Sequence, residues 1–162
     1  MRNAARLLLL LLLAVPATGN ASDAPTYLQI QDASGKVLFS LAVNNGSMFG
    51  IRFIHSVAKS PVEDWYGIEN GTIFLEKTIY QDFGAGLPHE PGPGQTMACA
   101  NGYVTISGFH RQLASFDVRV GRIAGHALLL PAMDGQQGVI PLNSLAPPGN
   151  ALTFTTFSAA LQ

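Results

Sequence analysis

Apolar and polar residues alternate with a period of two along much of the chain. The alternation is clearest over residues 37–43 and 116–120, where Val, Phe and Leu are separated by small or polar residues. A period of two places the apolar side chains on one face of a strand, so both segments are predicted to be β-strands. The Thr- and Phe-rich segment 153–157 is predicted to be a final strand. No window of ten or more residues has a convincing helical period.

Asn-Gly pairs punctuate the predicted strands at Asn45-Gly46, Asn70-Gly71 and Asn101-Gly102. Both residues tolerate a positive φ, and this pair is therefore the strongest short-range signal for a hairpin turn. Short strands with regular turn signals predict an all-β fold, a single-domain antiparallel β-sandwich or a barrel-like fold. The Gly- and Pro-rich run 84–94 is predicted to be its longest internal loop.

The N-terminal segment has the pattern of a secretory signal peptide. Arg2 and Arg6 precede an apolar run from Leu7 to Val15, and small residues follow. The run is shorter than the roughly 20 residues that a membrane span needs. We therefore predict a cleaved signal peptide at 1–21 and a single all-β domain at 22–162. The mature protein is expected to be periplasmic or secreted, in a bacterium, with no membrane span.

Composition excludes several classes of function. Nine basic residues are balanced by ten acidic residues, so a nucleic-acid binder is not expected. A single cysteine, Cys99, excludes an internal disulfide and is expected to be a small buried hydrophobe. The four histidines have no metal-ligand spacing, and the segment from Gly84 to Pro88 lacks the residues of a nucleotide-binding loop. The sequence thus predicts no metal site and no cofactor.

Trial hairpin registers predict a four-stranded meander over residues 37–79. Loops at 44–46, 58–61 and 70–71 place the apolar residues on one inner face. The exception on that face is a row formed by His55, Asp64 and Lys77, with neighbouring Cβ atoms about 5 Å apart. Two interpretations of this row remain open. It is either a structural feature that fixes the register, or a binding site that offers positive charge to a carboxylate ligand.

Several short motifs, in order and spacing, resemble a known family. They lie at 54–57, 61–63, 83–88, 111–113, 120–122, 126–128 and 145–149. The family is the one called domain of unknown function 1850. Its motif residues here, all of unknown role, are His55, Ser56, Val57, Pro61, Glu63, Gly84, Gly86, Pro88, Arg122 and His126. The motif acid is matched ambiguously, because Glu63 and Asp64 both precede Trp65.

The resemblance implies a small exported bacterial protein linked to TRAP-type transporters that use TAXI-class solute receptors. We therefore expect an accessory or interaction protein of such a solute-uptake system, with a TRAP-type permease or a TAXI-type receptor as its partner. The alternative is a β module that binds a small carboxylate. A hydrolytic enzyme is a second alternative, although no nucleophile–base arrangement can be placed in the sequence and no catalytic residue is assigned.

Overall fold

The computed structural model describes residues 25–83, 86–133 and 135–158, without the side chain of Met133. The predicted signal peptide and Gly84 lie outside the described residues, so the domain boundary after residue 21 stays a prediction. Strands β1 to β11 within the described residues are Thr26–Gln31, Val37–Val43, Met48–Ile54, Pro61–Glu69, Thr72–Tyr80, Thr96–Ala100, Tyr103–Leu113, Ser115–Arg119, Ala127–Met133, Gln136–Pro141 and Ala151–Ser158. A 3-10 turn at Leu142–Ser144 is the one helical element of this part of the chain.

The described strands form two antiparallel sheets. The small sheet has the order β2-β1-β11-β8, and the large sheet has the order β10-β9-β3-β4-β5-β7-β6. They form a sandwich-like fold and are not closed into a barrel. The all-β prediction is therefore confirmed in its sandwich form. Among the described residues, no helix is long and apolar enough to cross a membrane.

Two of the three Asn-Gly pairs make the hairpin turns that the sequence predicts. Asn70-Gly71 joins β4 to β5, and Asn101-Gly102 joins β6 to β7, with both residues of each pair at positive φ. The prediction at Asn45-Gly46 was wrong, because β2 and β3 belong to different sheets. Here the Gly46 N–H donates to the carbonyl of Ile68 at 2.8 Å, so the turn is attached to β4 instead of closing a hairpin.

The predicted strand order of the meander is correct for β3, β4 and β5 and wrong for β2. Strand β2 pairs with β1, placing Leu41 opposite Leu28 and Phe39 opposite Ile30. Leu28 and Ile30 are fully buried, since β1 is a central strand of the small sheet. The sequence pattern of β2 suits either partner, and β1 is the one that encloses the core.

Four aromatic rings join the two sheets at the centre of the main core. Tyr66 stacks on Phe116 with a centroid distance of 4.5 Å, and Phe116 stacks on Phe154 at 4.9 Å. Phe49 lies 5.1 Å from Tyr66. Cys99 is exposed and not part of this core, so its predicted burial was wrong. It lies on β6, an outermost strand of the large sheet, where a side chain reaches solvent.

Candidate functional site

The structure does not form the predicted row of His55, Asp64 and Lys77. Asp64 lies opposite Ile51 on β3 and opposite Thr78 on β5. His55 lies beyond the end of β3, in the turn that leads to β4. Lys77 lies opposite Trp65, on the outer face of the large sheet, which points away from the core. The three side chains are thus brought together neither by pairing nor by a shared face.

Two local features cause this difference. The β3–β4 connection is a six-residue turn at 55–60, closed by the His55 N–H donating to the Ser60 carbonyl at 2.9 Å. The pairing is therefore displaced by four residues from the predicted register. In β5, Glu76 is an extra residue with no partner on β4, and this β-bulge turns Lys77 to the outer face.

Asp64 remains on the inner face, without a cation beside it. Burial raises the pKa of its carboxyl above the ordinary value of 3.8, and a hydrogen bond from the Thr78 side chain opposes the shift. The neighbouring Tyr66 hydroxyl also has a raised pKa, because it is buried and lies near Asp64. In the described part of the chain, the ion pairs within 4.0 Å all involve His110, so Asp64 has none.

The family-motif residues that the structure describes lie in four places. The β3–β4 turn begins with His55, Ser56 and Val57. Within this turn the Ala58 N–H donates a hydrogen bond to the His55 Nδ1 at 3.1 Å. Pro61 begins β4, and Glu63 accepts a hydrogen bond from the Trp65 indole N–H at 3.0 Å on the outer face. Gly86 and Pro88 belong to the long loop, where the Pro88 carbonyl accepts a hydrogen bond from the Tyr80 hydroxyl. Arg122 and His126 belong to the loop before β9.

The loop before β9 is built around His126. Its Nδ1 accepts a hydrogen bond from the Gly121 N–H at 3.1 Å, which leaves the ring proton on Nε2. The ring also packs against Phe53 with a centroid distance of 5.7 Å. Partial burial lowers the pKa of His126 from its ordinary value of 6.5, so the neutral ring is favoured. A Cβ at Gly121 would come within 3.2 Å of the His126 ring, which explains the glycine.

This loop encloses one side of a small cavity of about 130 Å³. Arg122, His126 and Asn143 are its polar lining residues, and Val120, Pro141 and Pro148 contribute apolar surface. The volume is well below the roughly 300–1,000 Å³ typical of drug-sized ligand sites. It suits a group as small as one carboxylate, for which a guanidinium and an imidazole N–H are suitable donors.

Two neighbouring loops present apolar side chains to solvent beside this cavity. Ile123 is 90% exposed and Val57 is 64% exposed. The Ile54 N–H donates to the Ala124 carbonyl at 2.7 Å and so ties the end of β3 to the loop before β9. We call Ile54, Val57 and Ile123, with the exposed cations Lys59 and Arg122, the loop-end surface. The sequence motifs at 55–57 and 120–122 pointed to these loops, but the exposure of their apolar residues had no sequence signal.

The protein is thus a two-sheet β-sandwich with a small, partly polar cavity beside the loop-end surface. A family model described as a domain of unknown function (DUF1850) matches residues 49–135, more than half of the chain. The chain therefore belongs to that family, as the motif resemblance implied. The match covers both loops of the loop-end surface and His126. No curated protein and no solved structure matches the chain.

Proposed function

We propose that this protein is a docking protein that binds its partner through the loop-end surface. The observation that carries the proposal is the exposure of Val57, in the turn after β3, and of Ile123, in the loop that a backbone hydrogen bond ties to the end of β3. Large side chains exposed together on adjoining loops are typical of interaction sites. Lys59 and Arg122 add positive charge, so the complementary partner surface is apolar with acidic groups at its rim.

The proposed partner is a component of a TRAP-type solute-uptake system, either the permease or a TAXI-type solute receptor. The family resemblance supports this class of partner. The signal-peptide pattern at 1–21 supports a location in the periplasm or outside the cell, where such receptors work. The protein would then act as an accessory factor of uptake.

We propose binding in preference to catalysis for a chemical reason. Among the described residues, no serine hydroxyl and no cysteine thiol is hydrogen bonded to a histidine, an arrangement that nucleophilic hydrolases use. The hydrolytic alternative therefore gains no support from the geometry.

Site-specific photo-crosslinking in cells tests the docking proposal. A photoreactive residue replaces Val57 or Ile123 in the full chain, and the control position is Tyr103, which is exposed on β7. We expect a TRAP permease subunit or TAXI receptor to be crosslinked from 57 and 123 and not from 103. An unrelated partner at 57 and 123 would overturn the uptake assignment. Equal yields at all three positions would overturn the loop-end surface itself.

The small cavity favours a second candidate function, the binding of a small carboxylate. Arg122 and His126 supply hydrogen-bond donors within one cavity. The sequence suggested the same class of ligand, a carboxylate, but for the row of His55, Asp64 and Lys77. Calorimetric titration with acetate and succinate tests it. Binding lost in Arg122→Gln and retained in Lys77→Met would support this candidate. No heat of binding in the unmodified protein would reject it.

A further inference from the structure

A second cluster of polar side chains lies on the outer face of the large sheet, away from the loop-end surface. Its centre is Glu76, the extra residue in β5. Glu76 has no register partner on β4 and none on β7, so both ladders are interrupted at the same residue. Its side chain lies over Gly67, where an added Cβ would be 3.4 Å from the Glu76 Cγ. The glycine makes room for this half-buried carboxylate.

A wider irregularity in β7 brings a histidine to Glu76. Between Ser107, opposite Lys77, and Arg111, opposite Leu75, three residues of β7 face one residue of β5. The last of the three is His110, whose φ is +39°. Its Nδ1 is 3.1 Å from the Glu76 Oε1, and its ring stacks on Phe74 at a centroid distance of 4.5 Å. The stacking on Phe74 holds the His110 ring in an orientation in which Nδ1 faces the Glu76 carboxylate.

Glu69, at the end of β4, completes the cluster. Its Oε2 is 4.0 Å from the His110 Nε2. One ligand atom from each of Glu69, Glu76 and His110 lies within 4.8 Å of the other two. Glu69 and His110 are about half exposed, while Glu76 is 27% exposed. The three ligand atoms thus come from three adjacent strands and lie close together at the surface, although one imidazole can offer an ion only one of its two nitrogens.

We propose that Glu69, Glu76 and His110 bind a divalent transition-metal ion of the Zn²⁺ type. Two ligand atoms that are each about 2.1 Å from such an ion, at angles of about 90–110°, are roughly 3.0–3.4 Å apart. The Nδ1–Oε1 distance of 3.1 Å falls in this range. Imidazole nitrogen and carboxylate oxygen are ligands that Zn²⁺ accepts, and a neutral imidazole with two carboxylates carries the negative charge that a cation needs.

Among the residues that the structure describes, no lysine or arginine lies within 4.0 Å of the Glu69 or Glu76 carboxylate. The Lys77 ammonium lies over the Trp65 ring, 5.5 Å from its centroid. In the described part of the chain, His110 is the one residue that forms an ion pair with Glu69 or Glu76 within 4.0 Å. Three protein ligands leave a fourth position open to solvent, as in metal sites that bind an exogenous group.

Calorimetric titration of the full chain with ZnCl₂ alone tests this site. We expect one saturable site, weakened at least about tenfold in His110→Asn and in Glu76→Gln. Asn is chosen at position 110 because it tolerates the positive φ of this residue, so His110→Asn is expected to fold. The matched control is His89→Asn, which removes an exposed histidine that stacks on Phe83 and should leave Zn²⁺ binding unchanged.

Two further measurements separate a metal site from a structural ion pair. In nitrogen-detected NMR of the imidazole rings, Zn²⁺ should shift the His110 signals and leave those of His126 in place. MgCl₂ should bind at least about tenfold more weakly than ZnCl₂, because Mg²⁺ prefers oxygen ligands and keeps its waters. The proposal is overturned if Zn²⁺ does not bind saturably, if His89→Asn weakens binding as much as His110→Asn, or if the His110 signals do not move.

Discussion

The ammonium group of Lys77 lies 5.5 Å from the centroid of the Trp65 indole ring, on the outer face of the large sheet. The two residues face each other because the extra residue Glu76 displaces the register of β5 against β4. The indole N–H is bonded to Glu63 at 3.0 Å, so the ring is restrained at its edge as well as over its face. Trp65 is the single tryptophan of the chain, and its fluorescence therefore reports on this arrangement alone.

The Lys77–Trp65 contact predicts a small stabilisation that depends on charge. Lys77→Met keeps the aliphatic stem and removes the charge, and we expect it to lower the free energy of unfolding by about 0.5–1 kcal/mol. Lys77→Arg retains a cation over the ring and should remain close to the unmodified protein. Urea unfolding followed by tryptophan emission measures both effects. Identical emission and stability in the Met variant would contradict the contact.

The same indole ring makes Gly50 necessary. A Cβ at Gly50 would lie 3.1 Å from two carbon atoms of the Trp65 ring. We expect Gly50→Ala to displace the ring and to lower the free energy of unfolding by about 1–3 kcal/mol. In a Trp65→Leu background the smaller side chain should remove most of this loss, which circular dichroism during urea unfolding would detect. Equal losses in both backgrounds would show that the ring is not the obstacle.

Asp64 predicts a stability that decreases as the pH rises. Its folded pKa is raised above the unfolded value of about 3.8, so the folded state holds its proton more tightly. The stability that the protonated Asp64 contributes is therefore fully present below the unfolded pKa and is lost as the pH rises through the folded pKa. Asp64→Asn has no charge to bury and should be more stable than the unmodified protein at neutral pH, with the difference shrinking below about pH 4.

Thermal unfolding across this pH range measures the effect of Asp64→Asn. The matched control is Asp82→Asn, at an exposed position just after β5, which should change the profile little. A neutral-pH stability of Asp64→Asn below that of the unmodified protein would show that the carboxylate has a compensating partner.

His126 predicts the opposite dependence. Its folded pKa lies below the ordinary 6.5, so the unfolded state takes up the proton first as the pH falls. The stability contributed by the neutral ring is fully present above about pH 6.5 and is lost as the pH falls from there through the lower folded pKa. In His126→Asn the side-chain amide oxygen takes the place of Nδ1 as acceptor for the Gly121 N–H, and the side chain no longer titrates. We therefore expect the urea midpoint of this variant to change little between about pH 7 and pH 5.

His126→Ala is the informative comparison for this prediction. It removes the titration and also the acceptor for the Gly121 N–H, so it should flatten the pH profile and lower stability at every pH by about 1–3 kcal/mol. If His126→Asn retained the acid sensitivity of the unmodified protein, another group would be responsible.

The sequence predicted the strands and two hairpins because those features are local. Alternation defines a strand by itself, and Asn70-Gly71 and Asn101-Gly102 adopt the positive φ values that their side chains permit. Asn45-Gly46 has the same chemistry but lies where the chain passes from one sheet to the other. The choice between β1 and β3 as the partner of β2 depends on distant contacts that no local pattern contains.

The predicted row of His55, Asp64 and Lys77 does not form for a related reason. The β3–β4 register is displaced by four residues, and an even displacement keeps each side chain on its face, so the apolar pattern fits both registers equally. An extra residue in β5 then reverses the face of Lys77, and a bulge of this kind has no distinct sequence signature here. The motif residues Arg122 and His126 were found by resemblance, whereas Asn143 and the cluster at Glu76 depend on the three-dimensional arrangement.

The two central strands of the small sheet are the first and the last of the described chain. Thr26 pairs with Ser158, and β11 also holds β8 in place. Such distant pairing carries a large loop-closure entropy and slows folding. The β3–β4–β5 hairpins can form early from local contacts, but the sandwich closes only when β11 is present. During synthesis from the N-terminus the core therefore stays open until residues 151–158 are available, and removal of β11 would leave β1 and β8 without a shared neighbour.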